Sequence, residues 1–186
     1  MRKVTLFIAV SLDGYIADKN GGVSWLAGQE PNADDMVSYH DFIQEIDTVI
    51  MGWTTYHQIV TELSPDHWYY QGMQSYVVTH KKIPPAEDII FTQETPAKLV
   101  KSLRESEGEG IWICGGANLA QQLIREDLID TYHLSVIPTI LGDGIRLFGT
   151  ADREIRLKWK GTRTYHGITD LIYERGICAG HGMSCV

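Results

Sequence analysis

The stretch that most constrains this fold reads IWICGGANLAQQLI and starts at residue 111. A short apolar run ends in the pair Gly115-Gly116, and a helical pattern begins at once near Ala117. Glycines let a ligand approach main-chain N–H groups without a Cβ in the way. The following helix directs its unpaired N–H groups and positive dipole end to the same place. This pattern predicts an anion site, with a cofactor pyrophosphate as the favoured anion in an α/β protein.

A tight turn without a ligand is the alternative interpretation of the glycine pair. Its spacing differs from the dinucleotide fingerprint G-x-G-x-x-G, so the pair alone does not decide between a ligand site and a bare turn.

Composition bounds the class of protein. The 186 residues fit one domain with a sizeable core, and 44% hydrophobic with 22% charged residues is ordinary for a globular chain. A net charge of −8 argues against general binding to nucleic acid or anionic membranes. The apolar run near the amino terminus is short and lacks a small-residue cleavage site, so it predicts a strand rather than a signal peptide. We therefore expect a cytoplasmic protein.

Strand and helix patterns alternate along the chain, and this order predicts a mostly parallel sheet with helices on both faces and an antiparallel edge. One helix is expected to carry Met36, Tyr39, Phe42, Ile43 and Ile46 at helical spacing, after a cap at Asn32 or Asp34. A second helix opens at Thr95-Pro96. The predicted strands cover residues 4–10, 48–51, 75–79, 88–92, 111–114 and 131–137, with a closing hairpin over 153–165 and 168–174.

The three cysteines do not make a disulfide framework. Cys114 ends an apolar strand pattern and is predicted to be a small buried residue. Cys178, His181 and Cys185 near the end of the chain could ligate a metal, but without a fourth partner a weakly ordered tail is the favoured interpretation. The histidines show no ligand spacing, so no catalytic metal is predicted.

Two further strand ends meet glycine or hydroxyl-rich turns. Gly52 leads into a short helix with Thr54 and Thr55 in its first turn, and Thr79 precedes Lys81 after another strand. In a parallel sheet, ligands gather at the carboxyl ends of the strands, so these turns and the glycine pair would line one crevice. The two threonines could instead cap their helix. Their joint occurrence with the glycine pair favours a nucleotide.

Five segments in a fixed order carry a resemblance to a known family. They are SLDGYIA at 11–17, VIMGWTTY at 49–56, YVVTHK at 76–81, ICGGANL at 113–119 and LIDTYHLSVIPTILGDGIRLF at 128–148. With these segments the chain resembles the dihydrofolate-reductase-like superfamily, in particular its bacterial branch related to the pyrimidine reductase C-terminal domain of riboflavin biosynthesis. The resemblance implies a three-layer α/β/α domain over residues 1–176, and the glycine-rich end at 177–186 is expected to be a disordered tail.

The resemblance also implies a site for NADPH. Backbone groups of Ala9 would meet the nicotinamide carboxamide, Ile16 would pack on the ring, and Thr79 with Lys81 would lie near the adenosine 2′-phosphate. The family's Gly-Gly bond is typically cis, a strained functional feature. The positions assigned to the cofactor are Ala9, Ile16, Gly52, Trp53, Thr54, Thr55, Thr79, Lys81, Cys114, Gly115, Gly116, Ala117, Asn118 and Leu119.

Trp53 departs from the family pattern, because members usually carry Arg after this glycine. Arginine supplies a forked, permanently charged phosphate contact that tryptophan cannot replace. Trp53 could stack on adenine, or it could mark a weakened site. The departure leaves NADH open as the alternative cofactor.

On the substrate side, the resemblance implies a carboxylate on the helix before the second strand. Asp35 lies close to that position, with Met36 and Tyr39 on the neighbouring face, although acidic residues here could simply favour a helix start. Asp13 is either a catalytic polar group at the mouth of the substrate pocket or a turn former. Trp25 is expected to border the pocket as part of a mobile lid.

The resemblance implies an NADPH-dependent reductase that delivers hydride to a C=N or C=O bond of a heterocyclic small molecule, a pterin or a ribosylaminopyrimidine. The H-x-E and P-C-x-x-C elements of a deaminase are absent from the sequence. The alternative is a non-catalytic nucleotide-binding or interaction protein that retains the fold. The expected partners are the small-molecule substrate and a second copy of the chain in a homodimer, with no nucleic acid and no membrane.

Overall fold

A computed structural model describes residues 1–26, 37–151 and 153–176 of the chain. The helices are α1 (Val37–Ile43), α2 (Trp53–Gln58), α3 (Pro96–Glu105) and α4 (Ala117–Arg125), with a 3-10 turn at Ser24–Leu26 and a π-helical turn at Ile59–Leu63. The strands are β1 (Val4–Ser11), β2 (Tyr15–Ala17), β3 (Ile46–Gly52), β4 (Gln74–Val78), β5 (Ile89–Thr92), β6 (Gly110–Gly115), β7 (Thr131–Ile137), β8 (Ile145–Arg146), β9 (Leu157–Tyr165) and β10 (Ile168–Arg175).

Eight of these strands form one sheet in the order β5-β4-β3-β6-β1-β7-β10-β9. The neighbours from β5 to β7 pair in parallel, whereas β10 pairs antiparallel with both β7 and β9. The central strands β1, β3 and β6 are nearly continuous apolar runs, as expected where both faces of a parallel sheet are covered. The predicted α/β architecture with a parallel centre and an antiparallel edge is confirmed.

The core consists of one apolar cluster on each face of the sheet. On one face, Leu99 of α3 and Leu123 of α4 pack against inward residues such as Ile113 of β6. On the other face, Phe42 of α1 packs edge-on against Phe7 of β1, with ring centroids 4.7 Å apart. Each face therefore has its own helical layer, which gives the three-layer arrangement.

The helix α3 begins as its sequence predicts. The Oγ1 of Thr95 accepts a hydrogen bond from the Lys98 N–H at 3.3 Å, and Pro96 occupies the first helical position. The helix ends at Glu105.

Ile46 was predicted to lie on the first helix, and this prediction is wrong. The helix α1 ends at Ile43, and Ile46 begins β3, where it pairs with Gly110 of β6. Ile46 matches the spacing of a helix by coincidence. A single buried apolar residue is equally compatible with a strand position that faces the core. The last hairpin differs too, since β9 begins at Leu157 and not at residue 153. The loop after β1 also contains β2, which pairs with β8 in a small second sheet.

The predicted tail 177–186, including Cys178, His181 and Cys185, lies outside the described residues, as do Asn32 and Asp34. In the part of the chain that is described, no helix is both long and apolar enough to cross a membrane.

Candidate functional site

A cleft of about 670 Å³ opens at the carboxyl ends of β3, β4 and β6. It collects most of the positions that were assigned to the cofactor from the sequence, although they lie up to about a hundred residues apart. Ala9, Cys114 and Gly115 are not among the residues that line this cleft. The predicted residues that do line it are Ile16, Gly52, Trp53, Thr54, Thr55, Thr79, Lys81, Gly116, Ala117, Asn118 and Leu119.

The glycine pair lies between β6 and α4. The Gly115–Gly116 peptide bond is cis, as the resemblance implied, and Gly115 has a φ of 130°. The helix α4 follows directly, with Gly116 as its N-cap and no side chain capping its first N–H groups. A Cβ added to Gly116 would lie 3.3 Å from Thr55 Oγ1. The start of α4 is thus open to an anion, and its approach to α2 leaves little room for a side chain.

Thr54 and Thr55 do not cap their helix. The helix α2 begins at Trp53 with Gly52 as N-cap, and no side chain accepts a hydrogen bond from its first turn. Both hydroxyls belong to the lining of the cleft instead. Of the two interpretations of these threonines, the structure therefore rules out the capping one.

Thr79 has a structural role at the cleft wall. It is buried, and its Oγ1 accepts a hydrogen bond from the Lys81 N–H at 3.1 Å. Because this bond shapes the turn after β4, it orients Lys81 toward the cleft that both residues line.

Trp53 and Lys81 touch in the lining of the cleft. The Lys81 Nζ lies 3.8 Å from the centroid of the Trp53 ring, within the range of a cation–π contact. Among the described residues that line the cleft, Lys81 is the single lysine or arginine. Trp53 therefore contacts the one lysine that lines this part of the described structure.

Several residues that line the cleft were not predicted from the sequence. Gln93, Glu94 and Thr95 follow β5, and Gln58 of α2 donates a hydrogen bond from its Nε2 to the Gly21 carbonyl at 3.0 Å. The rule that ligands gather at the carboxyl ends of parallel strands also applies to β5 and could have found the first three. No local sequence signal pointed to the contact between Gln58 and Gly21.

Beside the cleft, the carboxyl ends of β1 and β6 present Ala9 and Cys114 on the face that α1 covers, because side chains alternate along a strand. Tyr39 of α1 lies over this face, with its ring centroid 5.8 Å from that of Trp112. The Tyr70 hydroxyl lies 3.3 Å from the Cys114 Sγ. The predicted substrate residue Tyr39 thus belongs to an aromatic wall that sequence analysis did not foresee.

The ionisable groups of this wall are held neutral. Burial raises the pKa of the Cys114 thiol to about 11, against the opposing effect of the hydrogen bond with Tyr70. Burial also raises the pKa of Tyr39 and that of Tyr70 well above the usual value. All three groups therefore keep their protons near neutral pH and can donate hydrogen bonds.

Asp13 holds a turn together. Its Oδ1 accepts hydrogen bonds from the Ser11 hydroxyl at 2.7 Å and the Leu141 N–H at 3.1 Å, and its Oδ2 accepts one from the Gly142 N–H at 2.8 Å. The Ser11 bond is the main cause that lowers the pKa of Asp13 to about 2. A carboxylate ionised at neutral pH and engaged by three donors suits the turn-forming role and does not suit a proton donor.

The structure gives little information on the roles of the other predicted substrate residues. Asp35 and Met36 lie outside the described residues. Trp25 sits half-buried in the 3-10 turn and is not among the residues that line the cleft. Its Nε1 has no hydrogen-bond partner within residues 1–26, 37–151 and 153–176. Its role at the pocket stays a prediction.

A buried carboxylate lies on the same sheet face and was also missed. Asp170 of β10 is fully buried and accepts hydrogen bonds from Ser38 at 2.5 Å, Ser135 at 2.6 Å and Tyr165 at 3.1 Å. The Nε2 of His133 lies 3.1 Å from it as well. Burial opposes its ionisation, but the hydrogen bonds from these side chains outweigh burial and lower the pKa of Asp170. Its inward position in β10 was the available sequence signal.

Comparison with known proteins gives consistent results. The family model of the RibD C-terminal domain matches residues 2–173. The chain is 38% identical to YwjB of Bacillus subtilis, an uncharacterized protein, over 94% of this chain and 98% of the relative. It is also 23% identical to the riboflavin biosynthesis protein RibD of Haemophilus influenzae. This match covers 49% of the length of RibD.

Solved structures show the same fold. A putative riboflavin biosynthesis protein from Shewanella superposes with a TM-score of 0.79 at 28% identity, covering 95% of this chain and 99% of the other. A diaminohydroxyphosphoribosylaminopyrimidine deaminase/5-amino-6-(5-phosphoribosylamino)uracil reductase from Thermotoga maritima superposes with a TM-score of 0.69 at 14% identity. That match covers 94% of this chain and 57% of the larger protein.

Proposed function

The chain belongs to the RibD C-terminal domain family, and on this basis we propose that it is a reductase that uses NADPH. The substrate is a heterocyclic small molecule of the pterin or ribosylaminopyrimidine type. Two arguments support this substrate class: the name of the Thermotoga enzyme, which describes a reductase of a phosphoribosylaminouracil, and the sequence resemblance to this family.

One observation carries the proposal: most of the positions assigned to the cofactor from sequence line one cleft. In this cleft the uncapped start of α4 offers main-chain N–H groups to a pyrophosphate. Lys81 offers a cation to the 2′-phosphate that distinguishes NADPH from NADH. Gly116 leaves a space that a Cβ would fill, as expected where a ligand approaches the main chain.

The protein's part in the reaction is positioning. The nicotinamide, when bound, supplies the hydride. Gly52, Gly116 and Ala117 hold the phosphates through backbone groups at the entry of two helices, and Ile16 forms the apolar wall that excludes water from one side.

The substrate would lie against the side chains of Tyr39, Tyr70 and Cys114, which we call the aromatic wall although one member is a cysteine. All three groups stay protonated. One proton of the Tyr70–Cys114 pair lies in the hydrogen bond between them, so the wall offers the Tyr39 hydroxyl and one further donor to an acceptor such as a ring nitrogen or carbonyl oxygen. Donors of this kind stabilise negative charge that develops on the acceptor when hydride arrives.

The experiment has two readouts. NADPH is titrated into the protein and the nicotinamide fluorescence is followed, and then NADPH oxidation is measured against a panel of pterins and ribosylaminopyrimidines. We expect saturable binding of NADPH and oxidation with at least one class of the panel. Absence of any saturable fluorescence change would contradict the cofactor assignment.

The alternative function is nucleotide binding without turnover, and Trp53 in place of arginine is the observation that favours it. Binding of NADPH with no oxidation by any member of the panel supports this alternative. A product formed at a rate proportional to enzyme concentration excludes it.

A further inference from the structure

The sheet face that α1 covers also holds the buried carboxylate of Asp170, and its two oxygen atoms have separate sets of neighbours. Oδ1 accepts hydrogen bonds from the Ser135 hydroxyl at 2.6 Å and the Tyr165 hydroxyl at 3.1 Å, both on strands of the sheet. Oδ2 accepts one from the Ser38 hydroxyl of α1 at 2.5 Å and lies 3.1 Å from the His133 Nε2. The carboxylate therefore connects α1 to the sheet.

The helix α1 depends on such contacts for its position, because it has seven residues and helices this short are marginal on their own. Phe42 packs on the sheet, but apolar packing has little directional preference. The ion pair of Asp41 with Arg163 is exposed and contributes little. The hydrogen bond from Ser38 to Asp170 is buried at both ends and has a charged acceptor, so it defines how α1 sits on the sheet.

The residue after Ser38 is Tyr39, which belongs to the aromatic wall. Successive residues of a helix point about 100° apart, since about 3.6 residues make one turn. With Ser38 bonded to β10, the Tyr39 ring lies over β1 and β6, where its centroid is 6.4 Å from that of Phe7 and 5.8 Å from that of Trp112. A rotation of α1 about its axis would move both side chains together, so the bond of Ser38 sets the place of Tyr39.

His133 supplies a second connection between the carboxylate and the aromatic wall. Its ring stacks on Phe7, with centroids 4.2 Å apart and an interplanar angle of 25°. The Phe7 carbonyl accepts a hydrogen bond from the Trp112 Nε1 at 2.9 Å, which joins the two rings that lie under Tyr39. Asp170 is therefore linked to the helix that carries Tyr39 and also to the rings on which Tyr39 packs.

We propose that Asp170 is a positioning residue that holds the Tyr39 hydroxyl in place for the substrate. It acts through Ser38 on the helix and through His133 on the rings underneath. The inference rests on the proposed function, since that function assigns Tyr39 to the substrate, and it adds the group that keeps this donor in place. A donor that is already oriented stabilises charge in the transition state without reorganisation.

The first measurement needs neither cofactor nor substrate. In the full chain, NMR records the nuclear Overhauser effect between the Tyr39 ring and the Trp112 indole. Ser38→Ala removes the bond to Oδ2. Ser135→Ala is the matched control, because it removes a bond of nearly the same length to Oδ1 and leaves Tyr165 there. We expect the effect to be lost in Ser38→Ala and retained in Ser135→Ala, and equal effects in both variants overturn the proposal.

The second measurement is kinetic and separates positioning from a general loss of stability. Ser38→Ala should lower kcat/KM for the substrate about tenfold. It should leave NADPH affinity unchanged, since the described residues that line the cofactor cleft include none of α1. In the Tyr39→Phe background, the same substitution should have no further effect on kcat/KM, because the hydroxyl that it misplaces is already absent. Additive effects of the two substitutions contradict the proposal.

A second variant covers the case in which Ser38→Ala does not fold. Asp170→Asn keeps the shape of the side chain and loses its charge, so it should also weaken the Overhauser effect between Tyr39 and Trp112, and an unchanged effect contradicts the proposal. The proposed function fails separately, when no member of the panel is reduced. In that case the placement of Tyr39 by Asp170 stands or falls on the Overhauser comparison alone.

Discussion

The Nζ of Lys81 lies 3.8 Å from the centroid of the Trp53 ring. A cation–π contact of this kind at a partly exposed position contributes about 0.5–1 kcal/mol. The contact holds the flexible lysine side chain at the cleft. If an arginine is usual here, as the sequence resemblance implies, the pair offers a point charge on an aromatic ring in place of a forked cation.

We expect Lys81→Gln to weaken NADPH binding about tenfold and to leave NADH binding nearly unchanged, because the lost charge pairs with the 2′-phosphate alone. Fluorescence titration with both cofactors measures this ratio. Lys82→Gln is the matched control, since Lys82 is adjacent and does not line the cleft. An equal loss for NADPH and NADH would place Lys81 away from the 2′-phosphate.

Gly116→Ala should reduce cofactor affinity at least tenfold while the fold is retained. The new methyl would lie 3.3 Å from Thr55 Oγ1 inside the cleft, where a phosphate must approach the main chain. Gly116 is better suited to this test than Gly115, whose φ of 130° would add backbone strain to any alanine.

The control for this glycine is Gly161→Ala on β9, where an added Cβ meets no atom within 4 Å. Thermal unfolding of both variants reports the fold, and NADPH titration reports the site. If Gly116→Ala binds NADPH as tightly as the unaltered protein, the pyrophosphate does not sit at the start of α4.

Asp170→Asn should lower the free energy of unfolding by about 1–3 kcal/mol at neutral pH, because buried donors lose a charged acceptor. The pKa of Asp170 is lowered in the folded state from its usual 3.8, so its contribution is present above that value. It is lost as the pH falls through the lowered folded-state value. The stability gap between the two proteins should therefore be constant near neutrality and shrink below about pH 4.

Urea unfolding at several pH values measures this gap. Asp41→Asn serves as the control, since Asp41 is exposed and forms a surface ion pair with Arg163 at 2.8 Å. Its substitution should change stability by less than about 1 kcal/mol. A gap for Asp170→Asn that widens toward acidic pH would show that the carboxyl is protonated in the folded protein.

The edge strand β9 supports the expectation of a homodimer. It ends the sheet, and it exposes Leu157 at 38% and Trp159 at 63%. Unpaired edges with apolar side chains tend to pair with another chain. We expect light scattering to give twice the chain mass and Trp159→Lys to give the mass of a single chain. Tyr69→Lys, at an exposed aromatic residue away from this edge, should stay dimeric, and a monomeric unaltered protein would refute the expectation.

Much of the fold was predictable because its signals are local. The alternation of apolar strands with helical spacing, the cap and proline at Thr95-Pro96, and the glycine pair between β6 and α4 all act within a few residues. Ile46 was misplaced because an isolated inward residue satisfies two periodicities. The pairing of β2 with β8 depends on a contact between segments about 130 residues apart, and no local pattern reports it.

The sequence by itself determined the fold class and the turns at the carboxyl ends of three strands, since strand periodicity and glycine chemistry are properties of short segments. Only the tertiary structure decided what these turns do together. It brought the Lys81 ammonium over the Trp53 ring, tied Asp13 into a turn, and buried Asp170 among four hydrogen-bonding side chains. The physical reason is that a side chain's charge state and hydrogen bonds depend on neighbours that chain topology brings together, and those neighbours are distant in sequence.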